Sequence, residues 1–194
     1  LGVTRKGQSR TWLDDNGWWV LVIEFQPSSW SKGTYLNIGV NWQWYPKDYY
    51  SFDLGYRESG YVEYESDNQF ESKAREMAEI AKSKVIEIRS HLSDLKDAQK
   101  FIVKSYANGP ETIWNQFHRG MICALAGDST KAIGYFNDVA SYSDDEDWAL
   151  ELKRFTEEVS SYLLSSSSFI AHVCDIVNEA RQMKKLERWQ CDLA

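Results

Sequence analysis

The sequence predicts an α+β protein, with an N-terminal twisted antiparallel sheet of about four or five strands packed against a C-terminal helical region of about five or six helices. Two observations carry this expectation. Ser9 to Tyr56 is rich in aromatic and β-branched residues that alternate with period two, and it holds Trp12, Trp18, Trp19, Trp30, Trp42 and Trp44. From Asp67 onward the apolar residues recur at a period of about 3.6 instead, as on a helix. A sheet region at 1–66 and a helical region at 67–194 follow, sharing one compact unit as expected for a chain of 194 residues.

The first strand is expected over Gln8 to Leu13, and Asp14-Asp15-Asn16-Gly17 follows as a hairpin turn in which Asn-Gly takes positive backbone angles. Trp18 to Gln26 comes next. Its Trp19, Leu21, Ile23 and Phe25 share one face, and Trp18, Val20, Val22, Glu24 and Gln26 share the other. Both faces are apolar at first, so this strand is central and opens to solvent or a cleft near Glu24 and Gln26. Pro27 ends it, and Ser28 to Gly33 forms a loop with one large ring, Trp30. Thr34 to Tyr45 alternates most cleanly: Leu36, Ile38, Val40, Trp42 and Trp44 face helices, while Tyr35, Asn37, Gly39, Asn41 and Gln43 form a polar reverse face. Tyr49 to Arg57 and Tyr61 to Glu65 read as two shorter strands, the last one near a sheet edge.

Phe70, Ala74, Met77, Ala78, Ala81, Val85 and Ile88 mark the first helix. Leu95, Ala98, Ile102 and Tyr106 continue the stripe, either in the same helix or after a break capped at Ser90 or Ser93. Asn108-Gly109-Pro110 is a firm boundary, with Pro110 suited to the first turn of the next helix. Trp114, Phe117, Met121 and Leu125 line that helix, and Ala126-Gly127-Asp128 turns the chain into another carrying Ala132, Tyr135, Phe136 and Val139. After the acidic link Ser143 to Asp147, stripes at Trp148, Leu152, Phe155, Val159, Tyr162 and then at Phe169, Ile170, Val173, Val177, Ala180, Met183 predict the last helices. Arg181, Lys184, Lys185 and Arg188 lie in the later turns.

Composition narrows the function classes. A formal charge of −7 repels phosphate backbones, so nucleic acid is an unlikely partner. No apolar run approaches the roughly 20 residues that cross a bilayer. Cys123, Cys174 and Cys191 have no metal-ligand spacing, and their odd number argues against a fully paired secreted scaffold, so a cytoplasmic setting is expected. His91, His118 and His172 are far apart, and no metal site is expected. Phosphate-loop and dinucleotide glycine patterns are missing, and no cofactor is expected. His118 and Cys123 are five apart on one helix, displaced by more than a turn, which favours a buried cysteine over a nucleophile.

Two candidate sites remain. Arg10, Glu24, Gln26, Asn37 and Asn41 could form a polar ligand site across neighbouring strands, although no second carboxylate partners Glu24 and no catalytic residue is assigned. Trp18, Trp30, Tyr49 and Tyr50 lie near turns and could anchor a protein partner.

Two resemblances add to this reading. Gly120, the Leu125 to Asp128 turn, Ala132 and Phe136 resemble one tetratricopeptide unit over about 113–144, although Gln116, Arg119, Cys123 and Asp144 depart from it. Arg5-Lys6-Gly7, Arg10-Thr11-Trp12, Phe25-Gln26-Pro27-Ser28-Ser29-Trp30 and Leu36-Asn37-Ile38-Gly39-Val40 together resemble a family of small bacterial domains of unknown function over about residues 4–56. The helix that precedes the basic-Gly segment in that family is absent or truncated at Leu1. The resemblance implies a sheet with flanking helices and no settled activity. Some relatives look like proteins of conflict or immunity loci, which implies a protein partner. The leading expectation is therefore a protein-binding or immunity-like module. The alternative is a small-molecule-processing enzyme or ligand-binding protein centred on Arg10, Glu24 and Asn41, and a third reading is a purely structural module.

Overall fold

The computed structural model describes residues 2–143 and 146–193. Asp144, Asp145 and the two terminal residues lie outside that description, so the acidic link and the tetratricopeptide comparison at Asp144 are only partly covered. The architecture is α+β. Six strands form one antiparallel sheet, and six α-helices follow among the described residues. The chain divides into two compact units: Leu1–Ser90 with Ala180–Glu187, and His91–Glu179 with Arg188–Ala194. The first helix thus falls with the sheet, and the division comes later than the change of period at 66/67.

In the first unit the strands are β1 Thr4–Arg5, β2 Thr11–Asp15, β3 Trp19–Pro27, β4 Gly33–Trp42, β5 Leu54–Arg57 and β6 Val62–Glu63. Their order is β1-β2-β3-β4-β5, with β6 also paired to β4. The β2 to β3 hairpin turns at Asn16-Gly17, where Gly17 has φ +77 and its N–H donates to Asp15 Oδ1 at 3.2 Å, whereas Asn16 does not take the positive φ expected of it. Trp12↔Ile23, Ile23↔Ile38 and Ile38↔Tyr56 are in register, so these residues share one face. Helix α1, Asp67–His91, lies on that face, where Ala74, Ala78, Ala81 and Val85 line a cleft with Trp12, Ile23 and Phe25. Arg89 of α1 donates from Nε to Asp14 Oδ2 at 2.9 Å, which pairs the buried Asp14 carboxylate.

The reverse face departs from the expected polar surface. Asn41 and Gln43 are fully buried, because residues 43–53 fold back over them and Phe52 sets its ring against Gly39 and Gly55. A Cβ at Gly39 would collide with that ring, so the glycine makes the fold-back possible. Trp42 and Trp44 are fully buried, with ring centroids 4.9 Å apart.

In the second unit, α2 Leu95–Ala107 is separate from α1, and its N-cap is Asp94 rather than either serine: the carboxylate accepts from Lys96 N at 2.9 Å. Thr112 caps α3 Ile113–Leu125 and Asp128 caps α4 Ser129–Ala140. Pro110 precedes the Thr112 cap, outside the first turn it was expected to start. Helix α3 is buried on nearly every side, from Phe117 through Leu125, as its run Met121-Ile122-Cys123-Ala124-Leu125 requires. Gly120 lies directly under the Phe136 ring of α4. Helix α5 spans Asp147–Ser161, a 3-10 turn follows at Tyr162–Leu164, and α6 spans Ser166–Met183.

One expectation about the end of the chain is corrected, the place of Met183 on the buried stripe. Met183 is exposed, while Arg181 and Lys184 are buried, since their polar ends find partners in the first unit. The odd number of cysteines leaves one unpaired: Cys174 is joined to Cys191 in a disulfide, and Cys123 is free and buried.

The α3 and α4 packing gives a paired prediction for chemical denaturation. Gly120→Ala should lose about 1–3 kcal/mol, because the ring of Phe136 leaves no room for a methyl group. Gly134→Ala, in the open interior of α4, should gain up to about 1 kcal/mol from helix propensity. Equal effects at the two positions would contradict this packing.

Candidate recognition surface

The predicted polar residues separate into two networks. Asn37 Nδ2 donates to Glu24 Oε2 at 3.2 Å and to Gln26 Oε1 at 2.8 Å, joining them across β3 and β4. Arg57 completes this ladder, donating from Nε to Asn37 Oδ1 and from Nη2 to Gln26 Oε1, both at 3.3 Å. Arg10 stays out of it. Register sets Thr11 opposite Glu24, which turns the exposed Arg10 to the other parity, and its carbonyl accepts from Phe25 N at 2.9 Å.

Asn41 belongs to the second network, beneath the fold-back. Its Nδ2 donates to Ser51 Oγ at 2.9 Å and Asp53 Oδ2 at 3.1 Å, and Gln43 Nε2 donates to Asn41 Oδ1 at 2.7 Å. Asp53 also accepts from Trp42 N at 2.8 Å and pairs with Lys47 Nζ at 2.8 Å. Lys184 Nζ reaches the Lys47 carbonyl at 2.6 Å, and Arg181 Nη2 reaches Asp15 Oδ2 at 2.8 Å. Along β4, Gly39 and the Phe52 ring lie between Asn37 and Asn41, so the two networks share no polar site. The second network reads as a structural clasp: each cation is held by a carboxylate or carbonyl, and the Ser51 hydroxyl is engaged within it, donating to Asp53 Oδ1 at 2.6 Å and accepting from Lys47 Nζ. Burial, reinforced by the Lys47 charge, brings the Lys184 amine down to about 8, and burial with the Asp15 charge raises Tyr50 to about 12.

The other titratable candidates are also packing residues. His118 is buried against Tyr106 and Trp114, and His91 stacks on Phe101 at 4.4 Å. Burial pushes the Cys123 thiol up, opposing any role as a nucleophile. No cluster of three or more metal-ligating side chains occurs among the described residues.

The four predicted anchors do not form one surface. Trp18 is corrected from a turn-exposed ring to a core residue: it is 6% exposed and stacks on Trp42 and Trp44 at 5.8 and 5.4 Å. Tyr50 is half-buried under Lys6, whose Nζ stands 4.5 Å from its ring centroid. Tyr49 is exposed but follows the Trp42 end of β4, whereas Trp30 precedes the Gly33 end. A strand of ten residues places those ends about 30 Å apart.

Trp30, 94% exposed, stands on a braced loop. Ser28 N donates to the Gly33 carbonyl at 3.0 Å, and Ser28 Oγ accepts from Trp30 N at 3.2 Å. Ser31 Oγ donates to the Tyr61 hydroxyl, and Tyr64 N donates to the Lys32 carbonyl at 2.8 Å, tying the loop to the β6 segment. Rings and cations extend the platform: Lys32 Nζ lies 3.5 Å from the Tyr64 centroid, Tyr35 lies 5.4 Å from Tyr61, and the Arg57 guanidinium lies 4.3 Å from Tyr35. Sequence reading found Trp30 and missed its supports Lys32, Tyr35, Arg57, Tyr61 and Tyr64. The clustering of Tyr61 and Tyr64 beside a strand end was the available signal.

The clasp predicts a stability profile in alkaline solution. Above about pH 8 native Lys184 loses its proton while the unfolded chain keeps it up to its ordinary 10.5, so stability rises with pH across that window. Unfolded Tyr50 ionises from its ordinary 10.0 while the native phenol holds its proton to about 12, so stability falls across that range. Denaturation midpoints measured against pH should show the rise in the wild type and lose it in Lys184→Met; an unchanged profile in the variant would contradict burial of this amine. Comparison with known proteins returns no match to any protein-family model, curated protein or solved structure.

Proposed function

We propose that the chain is a protein-binding, immunity-like module that uses the Trp30 loop as its anchor. The observation that carries this is a large apolar ring held almost fully in solvent by a hydrogen-bonded loop that Ser31 ties to Tyr61, with Tyr35 against Tyr61 and Arg57 over Tyr35. Binding through such residues is favourable because aromatic side chains supply large contact area at low conformational-entropy cost, and an arginine adds a planar fork of donors. The formal charge of −7 favours a protein over a nucleic acid as partner. We carry the resemblance of residues 4–56 to small bacterial domains into this proposal as part of the same reading. We likewise read the α3 and α4 hairpin as tetratricopeptide-like in packing, on Gly120 and Phe136. The alternative site built from Arg10, Glu24 and Asn41 has less support, since these residues stand in separate surroundings.

A cytoplasmic, bacterial setting is proposed from the same resemblance and from the free thiol of Cys123. The Cys174 to Cys191 bond weighs against it, because such bonds persist mainly in oxidising compartments.

Trp30→Ala should melt within about 0.5 kcal/mol of the wild type, since the ring has no packing to lose. In quantitative affinity capture it should lose a partner that Tyr49→Ala retains; capture unchanged by Trp30→Ala would reject the anchor. Alkylation of source cells lysed directly into denaturant, which exposes the buried Cys123, tests the compartment. Labelling of all three cysteines supports the cytoplasm, and labelling of Cys123 alone rejects it.

A further inference from the structure

Helix α6 ends in a reversal made by a residue poorly suited to it. Lys185 takes φ +59, in the left-handed region, and among the described residues no other non-glycine has a positive φ. The turn closes as Lys185 N donates to the Gln182 carbonyl at 3.0 Å and Leu186 N to the Arg181 carbonyl at 2.9 Å. Glycine is usual at this position, because a Cβ there crowds the following carbonyl oxygen.

Beyond the turn, residues 186–193 form no helix or strand and run back onto α6. The Asn178 side chain takes both polar groups of the Trp189 backbone: Trp189 N donates to Asn178 Oδ1 at 2.9 Å, and Asn178 Nδ2 donates to the Trp189 carbonyl at 3.3 Å. Arg181 Nε donates to the Glu187 carbonyl at 2.8 Å, and Leu193 is buried. The disulfide between Cys174 and Cys191 closes the reversal across 17 residues.

Access divides that bond. Cys174 is buried in α6, whereas Cys191 is exposed on the returning segment. Thiol exchange needs a thiolate to reach a sulfur, so Cys191 is the point of attack. Cys123 is fully buried in α3 and does not compete. The helix end is fixed independently of the disulfide, because Arg181 is bonded to Asp15 and Gly17 and Lys184 to the Lys47 carbonyl.

We infer that the Cys174 to Cys191 bond is a redox latch: oxidised, it holds 186–193 on α6, and reduced, it lets that segment swing out about Lys185 and present Trp189 and a Cys191 thiol to solvent. A dithiol reductant supplies the step. One of its thiolates bonds to Cys191 Sγ as the disulfide breaks, and Cys174 leaves as a thiolate that takes up a proton. Its second thiol then displaces Cys191, so two electrons and two protons pass to the chain and the reductant ends as a disulfide. After that only the bonds of Asn178 and Arg181 and the burial of Leu193 oppose relaxation of Lys185 and the regained freedom of the segment. The latch goes beyond the binding reading of the Trp30 loop and does not depend on it.

Hydrogen exchange of the full chain, oxidised and after treatment with dithiothreitol, tests the latch. Amides of 186–193 should exchange at least about tenfold faster in the reduced chain, while those of β3 and β4 exchange alike in both. Cys191→Ser should match the reduced chain with no reductant present. Lys185→Gly, which relieves the turn, should slow exchange of the reduced segment about fivefold relative to the reduced wild type. Equal protection of 186–193 in both redox states would overturn the proposal, as would a reduced segment that Lys185→Gly leaves unaltered. So would a bond that stays closed in the native chain under excess dithiothreitol, or faster exchange throughout the chain on reduction, since the bond would then be a staple of the whole fold.

Discussion

The antiparallel pairing of β3 with β4, in register from Trp19↔Trp42 to Pro27↔Thr34, is the constraint on which the rest of the sheet unit depends. A strand has period two, so this register decides every face at once. It sets Leu21, Ile23, Leu36, Ile38 and Val40 together on the side of α1, and Glu24, Asn37, Gly39 and Asn41 on the other. A slip of one residue would drive the amides under the helix and the leucines into solvent. The same pairing defines the two ends of β4, and hence separates the Trp30 loop from the segment that follows Trp42.

At the Trp42 end, burial of polar groups is the controlling cost. Asn41 and Gln43 are fully buried; the bonds of Asn41 to Ser51 and Asp53 and of Gln43 Nε2 to Asn41 Oδ1 offset much of the desolvation, while Gln43 Oε1 has no partner among the described residues. Arg181 and Lys184 add two buried cations, partnered by Asp15 and by the Gly17 and Lys47 carbonyls. Such a network fixes one geometry because a half-made version is costlier than none. At the Gly33 end the balance is reversed. There the loop bonds to itself and to β6, and leaves its largest apolar group in water. Rigidity without burial is what a binding anchor requires.

Much of the fold was legible in the sequence because it rests on local periodicity. The alternation of Leu36 to Trp42, the Asn16-Gly17 turn, the change of period at Asp67 and the close contact at Gly120 all appear in the structure. What escaped was long-range. Trp18 adjoins a turn, and only the positions of Trp42 and Trp44 reveal that it is stacked. Arg181 finds Asp15 across 166 residues, so its stripe reads as a solvated helix end until the partner is known. Cys174 and Cys191 lie 17 apart with no motif to mark them. Of the candidate residues, Glu24, Gln26 and Asn37 do meet, whereas Asn41 is diverted by a fold-back whose cause, the Phe52 ring on Gly39, alternation cannot show.

The proposed partner-binding site is the Trp30 loop. Hydrogen exchange of the chain alone and with a captured partner tests this most directly, because exchange reports the covered segment without altering it. The account predicts new protection concentrated at 28–33 and 57–64. Protection that instead gathers at 43–53, leaving the Trp30 loop as open as in the free chain, would contradict it.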